Sequence, residues 1–105
     1  MAGENDVVNS LCEYLAVKGY FFWRQNNTPV FDVRRKRYRK MPEWSMKGVP
    51  DIIVVYKGKF IGVEAKQKGK YQSQDQKEFE EGLVNRGGGE YIVARSIDDL
   101  VEYGF

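Results

Sequence analysis

The sequence predicts an α/β fold, a mixed sheet with helices on both faces. Its order is helix, strand, basic insertion, strand, strand, helix, strand, helix. Three observations carry that prediction. Apolar residues recur at helical spacing over residues 4–18, two β-branched runs at 52–56 and 60–65 are separated by a short Gly-containing pair, and a capping pattern at Ser73 opens a second helix ahead of a short apolar run.

Composition limits the function classes. A chain of 105 residues makes one domain with a modest core, and 42% hydrophobic with 30% charged residues is the balance of a globular protein. No apolar run approaches the roughly 20 residues of a membrane span, and the N-terminus lacks a signal-peptide pattern. Cys12 is alone, so no intrachain disulfide forms and a reducing, cytoplasmic location is expected. It falls in the apolar helical pattern and reads as a small core residue rather than a reactive thiol. The chain has no histidine, which excludes His-based acid–base catalysis, His-ligated zinc and Ser-His-Asp chemistry. The small net charge of +2 conceals a concentration of cations. Arg24, Arg34, Arg35, Lys36, Arg37, Arg39, Lys40 and Lys47 face only Asp32 and Glu43 over that stretch, the footprint of a polyanion-binding segment.

In chain order, Val7, Val8, Leu11, Cys12, Tyr14 and Leu15 define the first helix, which ends near Gly19. Glu4 falls in phase with Val8, Leu11 and Leu15, whereas Glu13 lies on the opposite side. Glu4 thus either reaches a site beneath the helix or acts only on the helix N-terminus. Residues 20–24 read as an aromatic strand, 25–29 as a turn, and 30–33 as a second short strand. Residues 34–44 are too basic for a core element and read as an exposed loop or hairpin tip. Tyr38 and Trp44 are available there to stack on sugars or bases. A solvated surface run is the bland alternative; its position just ahead of the acidic hairpin favours nucleic-acid contact. Ser73 with Gln76 predicts a capping box and a helix over 74–86, with Phe79, Leu83 and Val84 inward. Gln76 either caps that helix or projects into a site. Gly87-Gly88-Gly89 ends it without forming a phosphate-binding motif. Residues 91–94 predict a buried strand parallel to 60–65, and Ser96 a cap for a last short helix carrying Leu100 and Val101.

The hairpin carries the chemistry. A two-residue turn at Lys57-Gly58 pairs Tyr56 with Lys59, Val54 with Ile61 and Ile52 with Val63, and extends to Asp51 opposite Glu64. Like charges directly opposed on a sheet are destabilising, so a bridging divalent cation is the natural compensation. Lys66, two residues beyond Glu64, belongs to the same face by strand alternation. The bland alternative is an exposed hairpin whose acids pair with nearby lysines.

Pro50-Asp51, a gap, and Glu64-Ala65-Lys66 match the signature of the PD-(D/E)XK nucleases. With the surrounding Lys47-Gly48-Val49-Pro50-Asp51-Ile52-Ile53-Val54 and Ser73-Gln74-Asp75-Gln76 leading to Phe79, the chain resembles the VRR-NUC branch of that superfamily over essentially its whole length. The resemblance implies a single nuclease domain over residues 1–105 with a restriction-endonuclease-like αβββαβ core and a basic insertion at about residues 28–47. It implies a Mg²⁺- or Mn²⁺-dependent DNA endonuclease of phage or bacterial type. Small stand-alone members are associated with homodimers acting on branched DNA such as Holliday junctions, in replication, recombination or repair. Residue by residue, Asp51, Glu64 and the backbone carbonyl of Ala65 would be metal ligands. Lys66 would position or activate the attacking water, Gln76 would support the site, and Glu4 is the candidate for the first-helix acid. The basic residues from Arg24 to Lys47 would contact DNA, and the aromatic patch at Phe21, Phe22 and Trp23 exceeds what one face of a short strand can bury, as a dimer interface would. The competing expectations are a non-catalytic nucleic-acid-binding module with structural acids, and a protein-interaction domain whose basic loop meets an acidic partner.

Overall fold

A computed structural model describes residues 3–25, 31–38 and 42–105, with backbone alone at Phe31, Asp32 and Tyr38. The elements are α1 (Glu4–Lys18), β1 (Phe21–Arg24), β2 (Phe31–Asp32), β3 (Arg37–Tyr38), β4 (Ile52–Tyr56), β5 (Lys59–Ala65), α2 (Gln74–Glu81), a π-helical turn (Gly82–Arg86), β6 (Glu90–Ala94) and α3 (Ile97–Tyr103). The main sheet has the order β1-β4-β5-β6; β4 is antiparallel to both its neighbours, and β6 is parallel to β5. The fold is therefore α/β with a mixed four-stranded sheet and three helices.

The β4–β5 register is the one the turn predicts, with Ile52 beside Val63, Val54 beside Ile61 and Tyr56 beside Lys59. Lys57 and Gly58 both have positive φ, 51° and 79°, the backbone of the type I′ turn that matches strand twist. Alternation then sorts the faces. Ile52, Val54, Ile61, Val63 and Ala65 join Val7, Val8, Leu11 and Leu15 of α1 and Leu100 of α3 in one core. Fully burying a leucine such as Leu11 or Leu15 contributes about 1.5–3 kcal/mol, enough to fix α1 on this face. Gly19, at φ 78°, closes α1 in the left-handed conformation, and the Tyr20 N–H donates to the Leu15 carbonyl at 3.0 Å. The other face receives α2 and the π-helical turn. There the side chain of Leu83 lies over Gly62 and Gly89.

Five expectations are corrected. The helix predicted over 74–86 is α-helical only to Glu81; the five-residue π-helical turn follows, beginning at Gly82, a weak helix former. Val84, one residue past the inward Leu83, is exposed, while Phe79 and Leu83 stay half-buried. β6 is half-buried except at Ala94, because it forms an edge of the sheet. Ser96 occupies the N-cap of α3, yet its hydroxyl caps nothing; Asp99 instead accepts from the Arg95 amide at 2.7 Å. The short strand predicted at 30–33 is Phe31–Asp32, paired with Arg37–Tyr38 in a separate two-stranded ribbon. The basic run is thus a hairpin with Val33 to Lys36 at its tip. Arg39, Lys40 and residues 26–30 lie outside the described residues. Among the described residues no helix is long and apolar enough to cross a membrane.

Candidate functional site

The ladder between β4 and β5 stops at Ile52 and Val63, so Asp51 is not in the sheet as the register alone suggests. Its carbonyl turns toward β1 and accepts from the Gln25 amide at 2.7 Å. Its side chain crosses to β5, where Oδ2 accepts from the Ala65 amide at 3.0 Å. That hydrogen bond fixes one carboxylate at the mouth of the hairpin, beside Glu64.

Glu64 is 2% exposed, the one buried charged residue among those described. It shares the face of Gly62, toward α2, and Gln76 Nε2 donates to its Oε1 at 3.1 Å. Gln76 performs both roles between which its sequence position left a choice. Its Oε1 accepts from the Ser73 amide at 2.8 Å, while the Ser73 hydroxyl accepts from the Gln76 amide at 3.2 Å. The capping box therefore locks the amide that holds Glu64. Glu64 Oε2 has no hydrogen-bond donor. Burial first, then the Asp51 charge, push its pKa up to about 9. The nearby Lys66 ammonium opposes that rise, and Glu4 adds to it.

Lys66 follows the end of β5, its amide donating to the Ala94 carbonyl at 3.0 Å. Its largely buried side chain ends 3.9 Å from Glu4 Oε1, at the first residue of α1. Glu4 thus stands in the first turn of α1 and from there also reaches Lys66. Among the described residues no three Asp, Glu, Cys or His side chains form a metal-holding group. Two helix N-termini flank this end of the sheet, Glu4 of α1 on one side and Gln76 of α2 on the other. Their positive ends favour the acids between them.

Close backbone contacts that the motif did not reveal hold the site together. A Cβ on Gly48 would lie 2.2 Å from the Asp75 carbonyl oxygen, so the segment before Asp51 packs directly on the first turn of α2. A Cβ on Gly62 would lie 2.6 Å from Pro50 Cγ, and only glycine lets that ring rest on β5. Sequence reasoning also missed Tyr91, on β6 beside Gly62. Its buried hydroxyl lacks a hydrogen-bond partner, and burial foremost, aided by Glu64, Glu80 and Asp51, holds it well above the usual phenol range. Gln72 donates to Glu80 at 2.9 Å in the same polar layer beneath α2. A Tyr beside two Gln and two acids in a β–α–β segment was the available signal.

The basic candidates divide. Arg24 closes β1 next to Asp51 and is held by α1 through Asn5 Oδ1 at 3.1 Å and Asn9 Oδ1 at 3.5 Å. Lys47 is exposed immediately before Gly48. Arg34, Arg35, Lys36 and Arg37 are exposed on the separate β2–β3 hairpin. Trp44 is 91% exposed with φ 70°, a strained conformation for a bulky residue. Cys12 is half-buried against the core and its thiol is pushed up by burial, which leaves it unreactive near neutral pH.

The Asp51 and Glu64 carboxylates lie close together and offer only oxygen donors, and Ala65 is the last residue of the same strand. Such a set suits a hard divalent cation, and the donor-less Glu64 Oε2 is the vacancy in hydrogen bonding that a cation would fill. Comparison with family models, curated proteins and solved structures finds no match.

Proposed function

We propose that this protein is a metal-dependent DNA endonuclease with a restriction-endonuclease-like core, selective for branched DNA. One observation carries the reading: a buried glutamate with an oxygen that nothing donates to, set beside a second carboxylate, with an amine at hand. A fold gains no stability from that arrangement. Structural acids in a non-catalytic binding module would instead be paired and satisfied.

Asp51, Glu64 and the Ala65 carbonyl would hold Mg²⁺ or Mn²⁺, and such an ion supplies Lewis acidity toward the phosphodiester and a bound water of lowered pKa. The chain does the rest. The Ala65 amide keeps Asp51 aimed at the mouth of the hairpin. Gln76 orients Glu64. Lys66 would supply a positive charge to the attacking water and to the charge that develops on the phosphoryl group. Arg24, Lys47 and the exposed cations of the β2–β3 hairpin are suited to backbone phosphates, which position DNA without reading its sequence.

The test is a cleavage panel of single-stranded, duplex, flap and four-way DNA with Mg²⁺, Mn²⁺ or EDTA. Cleavage should require the ion, favour branched substrates, and vanish in Asp51→Ala while DNA binding persists. Equal cleavage by wild type and Asp51→Ala would assign the activity to a contaminant and remove the reading.

Paired cuts on a branched substrate call for two active sites, and we assign the second to another copy of the chain. β1 is an edge strand on which Phe21 and Trp23, 71% and 41% exposed, stand edge to face at 6.3 Å while Phe22 packs on the core. Sedimentation at micromolar concentration should give a dimer, converted toward monomer by Phe21→Glu. A monomer throughout would overturn the pairing.

A further inference from the structure

The ends of the main-sheet strands carry a row of charged groups. Arg24 closes β1, Asp51 precedes β4, Glu64 lies next to the last residue of β5 with Lys66 just beyond it, and Arg95 follows the last residue of β6. β6 runs parallel to β5 with Ala94 beside Ala65, and adjacent strands lie about 4.8 Å apart. Arg95 is therefore one strand away from the site, on the side opposite Arg24.

Arg95 is fixed rather than waving in solvent. Its Nη2 donates to the Lys70 carbonyl at 2.8 Å, and its backbone amide is held by Asp99. Its guanidinium carbon lies 5.6 Å from the centroid of the Tyr71 ring. Tyr71 itself is 78% exposed. The turn at residues 67–70, closed by the Lys70 amide on the Gln67 carbonyl at 3.1 Å, leaves Lys68 and Lys70 exposed alongside. An aromatic ring with an anchored cation over one face and solvent on the other is a stacking surface.

We propose that Tyr71, backed by Arg95, stacks an unpaired nucleobase beside the cleaved phosphodiester, with Lys68 and Lys70 on the adjoining phosphates. The inference deepens the nuclease reading and rests on it: it names the substrate as DNA that presents an unstacked nucleotide at this end of the sheet. Bases inside an intact duplex have both faces covered. A gap, a single strand or the branch point of a junction offers a free one. The platform therefore supplies structure selectivity without any hydrogen bond to a base edge.

The experiment uses the full chain with a gapped duplex carrying 2-aminopurine at the unpaired position and an intact duplex as control, in EDTA so that no strand is cut. Wild type should change the 2-aminopurine fluorescence on binding. Tyr71→Ala should abolish that change and weaken gapped-DNA affinity roughly 5- to 100-fold, with duplex affinity altered less than about twofold. Tyr71→Phe, which keeps the stacking face, should behave as wild type. Gapped-DNA binding by Tyr71→Ala equal to wild type would overturn the proposal, as would an equal loss on both DNAs. Failure of the wild-type protein to cut any DNA in Mg²⁺ or Mn²⁺ would remove the nuclease reading instead, and the fluorescence result would still decide the platform.

Discussion

Lys66→Ala should lower metal-dependent DNA cleavage roughly 100- to 10,000-fold while leaving DNA and Mn²⁺ binding within about threefold of wild type. The range follows from what one positioned charge or one acid–base group contributes to a hydrolytic transition state. Lys66 is largely buried, and its ion pair with Glu4 spans 3.9 Å, too loose a contact to make the lysine a structural pin. Its charge also opposes the raised pKa of Glu64, which places it within electrostatic reach of the carboxylates. Two further measurements separate its roles. Lys66→Arg retains the charge but cannot lose a proton near neutral pH, so activity retained to within about tenfold identifies an electrostatic role. Activity lost as fully as in Lys66→Ala, with disappearance of a rising limb in the pH–rate profile, identifies a base. Wild-type rates in Lys66→Ala would remove this residue from the reaction, and the proposed mechanism with it.

Local rules carried the sequence reading furthest where local geometry decides the outcome. Lys57-Gly58 sets a two-residue turn, the turn sets the register, and the register puts Asp51 and Glu64 at one end of the hairpin. The place of Glu4 in the first turn of α1 and the capping box at Ser73 are likewise properties of a few adjacent residues, and both lead to contacts at the site. What the sequence could not display were contacts between distant segments. The turn of Asp51 out of the ladder depends on Gln25 and on the Ala65 amide. The apposition of Arg95 and Tyr71 depends on the crossover that brings β6 beside β5. Gly48 and Gly62 could have been flagged as glycines in unusual places, but their partners, the first turn of α2 and the Pro50 ring, exist only in three dimensions. The π-helical turn was hidden because Gly82 weakens the helix without stating which alternative the backbone adopts.

Glu64→Gln should make the metal-free protein more stable while abolishing cleavage. In the folded chain the Glu64 carboxyl is raised to about 9 from an ordinary value of 4.5, chiefly by burial and by Asp51. The folded state therefore keeps a proton that the unfolded chain releases between those two values. Folding stability falls as pH rises through that window, and levels off above the folded value. At neutral pH the penalty is on the order of 3 kcal/mol. Glutamine is neutral at every pH, its Oε1 can still accept from Gln76, and its amide can donate toward Asp51. The melting temperature of the variant should exceed that of wild type by about 10 °C at pH 7 to 8, and the gap should close as pH is lowered toward 4.5. Binding of Mn²⁺ to wild type should release close to one proton at pH 7, seen as a buffer-dependent calorimetric heat, and should restore stability that the variant cannot gain. A melting-temperature gap that ignores pH would show that Glu64 is not held protonated. A variant less stable than wild type in EDTA would show that the carboxylate serves the fold, and would move the buried acid from chemistry to architecture.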